Sequence, residues 1–233
     1  MKNLNEKHLF MSFLFNLIIV IFESAGLVLS VFQYGLGVFQ FYTEDSNYFA
    51  LAISIIYCIG IGYSLCYKKE IPNWIHQLRF ISTACLTLTF LMILCVLSPL
   101  FPSKFVSWMF LGSGLFQHTL CPILSIISFL LFEAQYKLTK KSIFFAFVPT
   151  LIYGISCIIL NLTKTIEGPY PFFYLYKLPW YISTPWLLGV VAVALLIAWL
   201  IYWLHNKSYS KIKSPKHSTA SNLSNQKEKT ANF

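Results

Sequence analysis

Six long apolar runs constrain this chain more than any other feature of its sequence. They extend from Leu9 to Phe32, Ser46 to Tyr67, Phe80 to Leu100, Gly114 to Glu133, Ser142 to Thr163 and Ser183 to His205. About 30 Å of hydrocarbon is crossed by about 20 helical residues rising about 1.5 Å each, so every run is long enough to span a bilayer. Backbone in lipid must satisfy its own hydrogen bonds, and a barrel would show short alternating segments of about ten residues, so the runs predict helices. Composition agrees, since 57% of the 233 residues are hydrophobic and 11% charged, whereas a soluble chain carries about a quarter charged residues. The low-hydrophobicity, high-charge signature of disorder is excluded by the same numbers. The expected fold class is all-α: a polytopic membrane protein whose residues 1–205 form a bundle of six transmembrane helices. A cleaved signal peptide does not account for the first run, because its apolar character continues past Glu23.

Basic residues choose the cytoplasmic side. Fourteen fall at the amino terminus, in the second and fourth loops (Arg79 among them) and in the carboxyl tail, whereas Lys104, Lys164 and Lys177 are the only ones in the opposite set. Both termini are therefore expected in the cytoplasm, with the chain a multi-pass protein of the cell membrane. Residues 206–233 read as a basic, disordered cytoplasmic tail near anionic headgroups, which favours the lipid bilayer and no nucleic acid as the partner of the positive charge. The six cysteines all fall in apolar runs and form no CxxC pair, so no metal is expected. No dinucleotide fingerprint or phosphate loop is present, so no cofactor is expected either. No feature of the sequence sets an oligomeric state.

Polar residues inside the runs mark depth. Asn16, Glu23 and Ser30 recur every seven positions and form one stripe, which should face protein. Glu23 and His118 fall at a shared level in the outer half. Thr43, Ser46 and Asn47 open the second span on one helix face near the same level. Thr43 also fits an ordinary N-cap, with Glu44 and Asp45 favoured by the helix dipole. His118 also fits an ordinary interhelical hydrogen bonder. Pro122 removes a donor and is expected to bend its helix. The long loop Gly168-Pro169-Tyr170-Pro171-Phe172-Phe173 reads either as an interfacial aromatic belt or as a lid over an outward-facing pocket. Asn161-Leu162-Thr163 matches a glycosylation sequon. The inner halves of the spans read as almost purely apolar, which weighs against a transport pathway reaching both faces.

Thr43-x-x-Ser46-Asn47, His118-Thr119-x-x-Pro122 and Pro169-Tyr170-Pro171-Phe172 together resemble the androgen-induced family of intramembrane hydrolases and its bacterial relatives, over most of residues 9–205. The resemblance implies a threonine-type hydrolase of fatty acid esters of hydroxy fatty acids, with Thr43 as nucleophile and His118 as base. A threonine hydroxyl needs such a base within hydrogen-bond reach. Asn47, with Ser46 and Tyr170, is the expected oxyanion or substrate contact, and Glu23 is expected to orient the imidazole or to stay protonated. The expected ligand is lipid-like. The alternative classes are a non-enzymatic membrane protein, receptor-like or an assembly subunit, in which the same polar cluster locks helices together, and a small transporter.

Overall fold

The computed structural model describes residues 2–213, with side chains over 6–212; among the described residues the chain is all-helical, with no strand. Six helices are long and apolar enough to cross a membrane, consistent with an integral multi-pass protein: α1 (Glu6–Gln40), α2 (Tyr42–Tyr67), α3 (Asn73–Leu100), α4 (Gly112–Leu131), α5 (Lys141–Leu162) and α6 (Trp180–Ile212). α2 stops where Lys68 turns left-handed at φ 54°, and α3 starts behind Pro72. Pro149 and Pro185 lie inside α5 and α6; membrane helices tolerate such breaks when neighbours satisfy the freed backbone.

α3 is the central helix. Its most apolar stretch is 67% buried, against 11% for α5, and it packs on α2, α4, α5 and α6. From Arg79 to Thr89 every residue of α3 is buried, so this helix has no lipid face there. Its hydroxyls return to its own backbone, Thr83 Oγ1 donating to the Arg79 carbonyl at 2.9 Å and Thr87 Oγ1 to the Thr83 carbonyl at 2.7 Å. α1 packs on α2 and α4 through a buried stripe of Ser12, Asn16, Ile19, Glu23, Gly26 and Ser30. The expectation that Asn16, Glu23 and Ser30 face protein holds. The spacing alternates four and three, as at any helix seam, and the small residues let the backbones approach.

Two expectations change. Arg79 does not lie in a loop: α3 begins at Asn73 rather than at Phe80, and Arg79 is fully buried against Glu133, Nε to Oε2 at 3.2 Å. Glu133 also accepts from Asn16 Nδ2 at 2.8 Å and Ser128 Oγ at 2.6 Å, while Arg79 Nη1 donates to Ser82, Thr83 and Ser125. Arg79 therefore leaves the set of loop cations. Nor is the half of the bundle that the charge bias assigns to the inner side apolar, since Ser12, Asn16, Tyr57, Arg79, Ser125 and Glu133 are all buried there. The two charges sit at the borders of apolar runs, and scattered hydroxyls do not interrupt such runs, so hydropathy alone conceals the network. α6 continues as helix to Lys213, past the expected start of the tail at 206; the rest of that tail lies outside the described residues.

Removing one member of a buried ion pair strands the other charge, which costs about 3–5 kcal/mol. Glu133→Ala is expected to lower the thermal unfolding temperature of detergent-purified protein sharply, whereas replacing both partners, Arg79→Met with Glu133→Leu, restores most of the loss. An unfolding temperature unmoved by Glu133→Ala would show that the pair carries no such weight.

Candidate functional site

At the end of the bundle where α1 ends and α2 begins, a cavity of about 800 Å³ opens among α1, α2, the 101–111 connection, the start of α4 and the 163–179 loop. Thr43, Glu44, Lys104, Trp108, His118 and Tyr170 line it. A second pocket of about 140 Å³ lies beside it, walled almost wholly by apolar side chains of α3, α5, α6 and the same loop. Thr43, Leu97 and Tyr170 belong to both. Thr43 thus stands where a chamber of mixed lining meets an apolar one.

Two prolines shape the wall. Pro99 and Pro122 each lack an N–H, and a proline ring crowds the carbonyl four residues back, so the preceding turn widens. π-helical turns are found at Ile93–Leu97 and Leu115–Leu120, just ahead of these prolines, and both contribute to the larger cavity. For Pro122 the residue four back is His118 itself. The bend expected there takes the form of a π turn carrying the imidazole, as single wide turns at functional sites often do.

His118 is fixed from one side only. Its Nδ1 meets the Trp108 carbonyl at 2.8 Å, and because a carbonyl only accepts, the proton is on Nδ1 and the Nε2 lone pair is free. Nε2 is buried and has no partner. The next residue repeats the contact, Thr119 Oγ1 donating to the Met109 carbonyl at 2.6 Å. Gly114 makes this closeness possible, since a Cβ there would run into the Trp108 carbonyl.

The N-cap reading of Thr43 does not describe the structure. Phe41 is the capping residue, without a side-chain bond, and Thr43 lies in the first turn of α2. Its N–H donates to Tyr170 Oη at 3.3 Å, and its side chain lies along the same phenol. Burial pushes the Tyr170 phenol above its ordinary value, so at neutral pH it keeps its own proton to donate. Thr43 and His118 make no direct hydrogen bond to each other. Catalytic contacts are often loose before substrate binds.

Of the expected site residues, Thr43, His118 and Tyr170 share the cavity, and Ser46, Asn47 and Glu23 do not line it. Ser46 Oγ bonds the Thr43 carbonyl at 3.0 Å and Thr89 Oγ1 at 2.7 Å. Asn47 Nδ2 donates to the Thr43 carbonyl at 2.6 Å, so the amide expected to serve an oxyanion is folded back onto its own helix, a common habit of this side chain. Glu23 does not touch the imidazole; it is buried beside Cys121, one turn deeper.

Glu44, read from the sequence only as a helix-dipole partner, is the carboxylate of the chamber. It accepts from Ser30 Oγ at 2.8 Å, Tyr48 Oη at 3.0 Å and Gln117 Nε2 at 2.8 Å. The sequence signal that was available is the continuation of the α1 stripe to Ser30, one helix turn from the site end.

The 163–179 loop covers this end. Phe172 stacks between Tyr170, at an interplanar angle of 14°, and Trp186, at 22°. Gly168 turns at φ +102°, where an added Cβ would come within 2.8 Å of the Phe173 carbonyl. Asn161 is no glycan acceptor in this setting: fully buried, it donates to the Ile166 and Glu167 carbonyls at 3.2 and 2.7 Å and accepts from the Leu175 N–H at 2.8 Å. Among the described residues no group of histidine, cysteine and acidic side chains is placed to hold a metal. In comparisons with known proteins, no family model, no curated protein and no solved structure matches the chain.

Asn161→Ala is expected to free the loop, seen as much faster chymotryptic cleavage between 163 and 179 with the helical circular dichroism unchanged. Equal cleavage of variant and wild type would show that the amide does not hold the loop.

Proposed function

We propose that this chain is a multi-pass protein of the cell membrane, with both termini in the cytoplasm, that hydrolyses lipid esters from the outer leaflet with Thr43 as nucleophile and His118 as base, in the manner of the androgen-induced family its motifs resemble. The observation that carries this reading is the placement of Thr43 at the junction of the larger cavity and the apolar pocket, with His118, whose Nε2 is buried without a partner, among the residues that line the former. An acyl chain seated in the apolar pocket gains about 0.8 kcal/mol per buried methylene, which holds its carbonyl at Thr43 while the remainder of the ester lies in the larger cavity beside Lys104.

In the first half of the reaction Thr43 Oγ1 bonds to the ester carbonyl carbon as its proton passes to His118 Nε2. Tyr170, whose Oη already accepts the Thr43 N–H, donates its own proton as a hydrogen bond to the oxyanion that forms. The C–O bond to the alcohol then breaks, and the imidazolium returns the proton to the departing oxygen. In the second half water gives its proton to Nε2 and attacks the acyl-threonine, releasing a carboxylic acid and restoring Thr43.

A non-enzymatic scaffold is the second reading, favoured by the paired bonds of His118 and Thr119 to the Trp108 and Met109 carbonyls, which pin the 101–111 connection to α4. The two readings separate on the variants. Thr43→Ala and His118→Ala are each expected to abolish turnover of a long-chain lipid ester by purified protein. Thr43→Ala should leave thermal unfolding unchanged, while His118→Ala loses about 1 kcal/mol with the Trp108 bond. A fluorophosphonate probe is expected to label the wild type and not Thr43→Ala. Retained turnover in either variant rejects the dyad, and loss of folding without any wild-type activity favours the scaffold.

A further inference from the structure

Thr43 and His118 come from helices 75 positions apart in sequence, and neither makes a hydrogen bond that ties one to the other. Their immediate neighbours do. Glu44, which follows Thr43, and Gln117, which precedes His118, are joined by the 2.8 Å bond from Nε2 to Oε2. Both are buried, Gln117 completely. We infer that the Glu44–Gln117 pair sets the separation of Thr43 and His118, making both of them positioning residues for the proposed hydrolysis.

Consecutive helix residues point in well-separated directions, so a pair that meets on the α1 side leaves the adjoining Thr43 and His118 free to face the chamber. The carboxylate is held by three donors from three places: Ser30 on α1, Tyr48 one turn along α2, and Gln117 on α4. Three donors converging from different elements leave the Glu44 side chain little freedom, which suits it to fixing a distance. α1 completes the grip from behind. A Cβ added at Gly26 would lie 2.7 Å from Gln117 Cγ, so this glycine gives the Gln117 side chain the room it needs to reach Glu44. The pair thus converts the packing of α1, α2 and α4 into the spacing of two side chains that belong to different helices.

The kinetic consequence rests on the hydrolase reading; the distance itself does not, and the test separates the two. In the full-length protein, Gln117→Met keeps the shape beside Gly26 and leaves Glu44 its Ser30 and Tyr48 donors. Displacing reacting groups by about 1 Å costs about a hundredfold in rate, so kcat for a long-chain ester should fall by about that factor, with KM within about twofold and thermal unfolding close to wild type. Gly26→Ala should act in the same direction from a helix that contributes neither reacting group. The exchange Glu44→Gln with Gln117→Glu, which restores a donor–acceptor pair of opposite polarity, should recover much of the rate. The distance is read separately from the yield of a short bis-methanethiosulfonate cross-link in Thr43→Cys/His118→Cys protein, measured by mass spectrometry of the 43–118 linked peptides. Adding Gln117→Met to that background should reduce the yield. An unchanged yield, or an active wild type whose kcat survives Gln117→Met, overturns the inference. If the wild type neither turns over ester nor takes up the fluorophosphonate, the hydrolase reading fails instead, and the cross-link alone decides whether the pair sets the spacing.

Discussion

A bilayer core offers no hydrogen bonds, so a polar group that enters it is stabilised by a partner inside the protein. This constraint organises the whole bundle. It draws Arg79 and Glu133 together at one level, with Asn16, Ser125 and Ser128 adding hydrogen bonds to the pair. It turns the threonines of α3 back onto their own carbonyls. At the site end it gathers Ser30, Tyr48 and Gln117 around Glu44. Each of these groups would be costly facing lipid, and together they decide which side of each helix turns inward.

The same requirement makes the larger cavity distinctive. Its wall carries His118, whose Nε2 is buried without a partner, together with Glu44 and Lys104, beside a pocket lined almost wholly by apolar side chains. Two π turns and a glycine shape its wall. The proline that widens one of them also places His118, so local backbone chemistry and the site are linked through a single missing N–H. On the other side, the phenol of Tyr170 joins the covering loop to the first turn of α2, so loop order and the surroundings of Thr43 depend on each other.

Much of this was legible before any coordinates. The six helices follow from run length. The inward stripe of α1 follows from a seven-residue repeat, and His118-x-x-x-Pro122 announced a disturbed turn. Thr43, His118 and Tyr170 were singled out, and the folded chain gathers them around one cavity. Glu23 and Asn47 were singled out on the same grounds of depth and helix face, yet one lies beside Cys121 and the other bonds its own helix. Depth places a side chain at a level but does not say which neighbour occupies that level, and a carboxamide takes the backbone carbonyl one turn back when that is the nearest acceptor.

What the sequence determined by itself is therefore whatever depends on one helix at a time: the number and length of the spans, the stripe α1 buries, and the turn that Pro122 loosens. The pairing of Arg79 with Glu133, the clasp of His118 on Trp108, the choice of Glu44 over Glu23 as the chamber's carboxylate, and the use of Asn161 to hold a loop were decided only by tertiary structure. Each joins residues on separate elements, or an element to a connection folded back on it. Hydropathy and periodicity report how a side chain relates to its own axis, whereas a hydrogen bond between elements depends on the rotation and height of both, which the packed bundle alone sets.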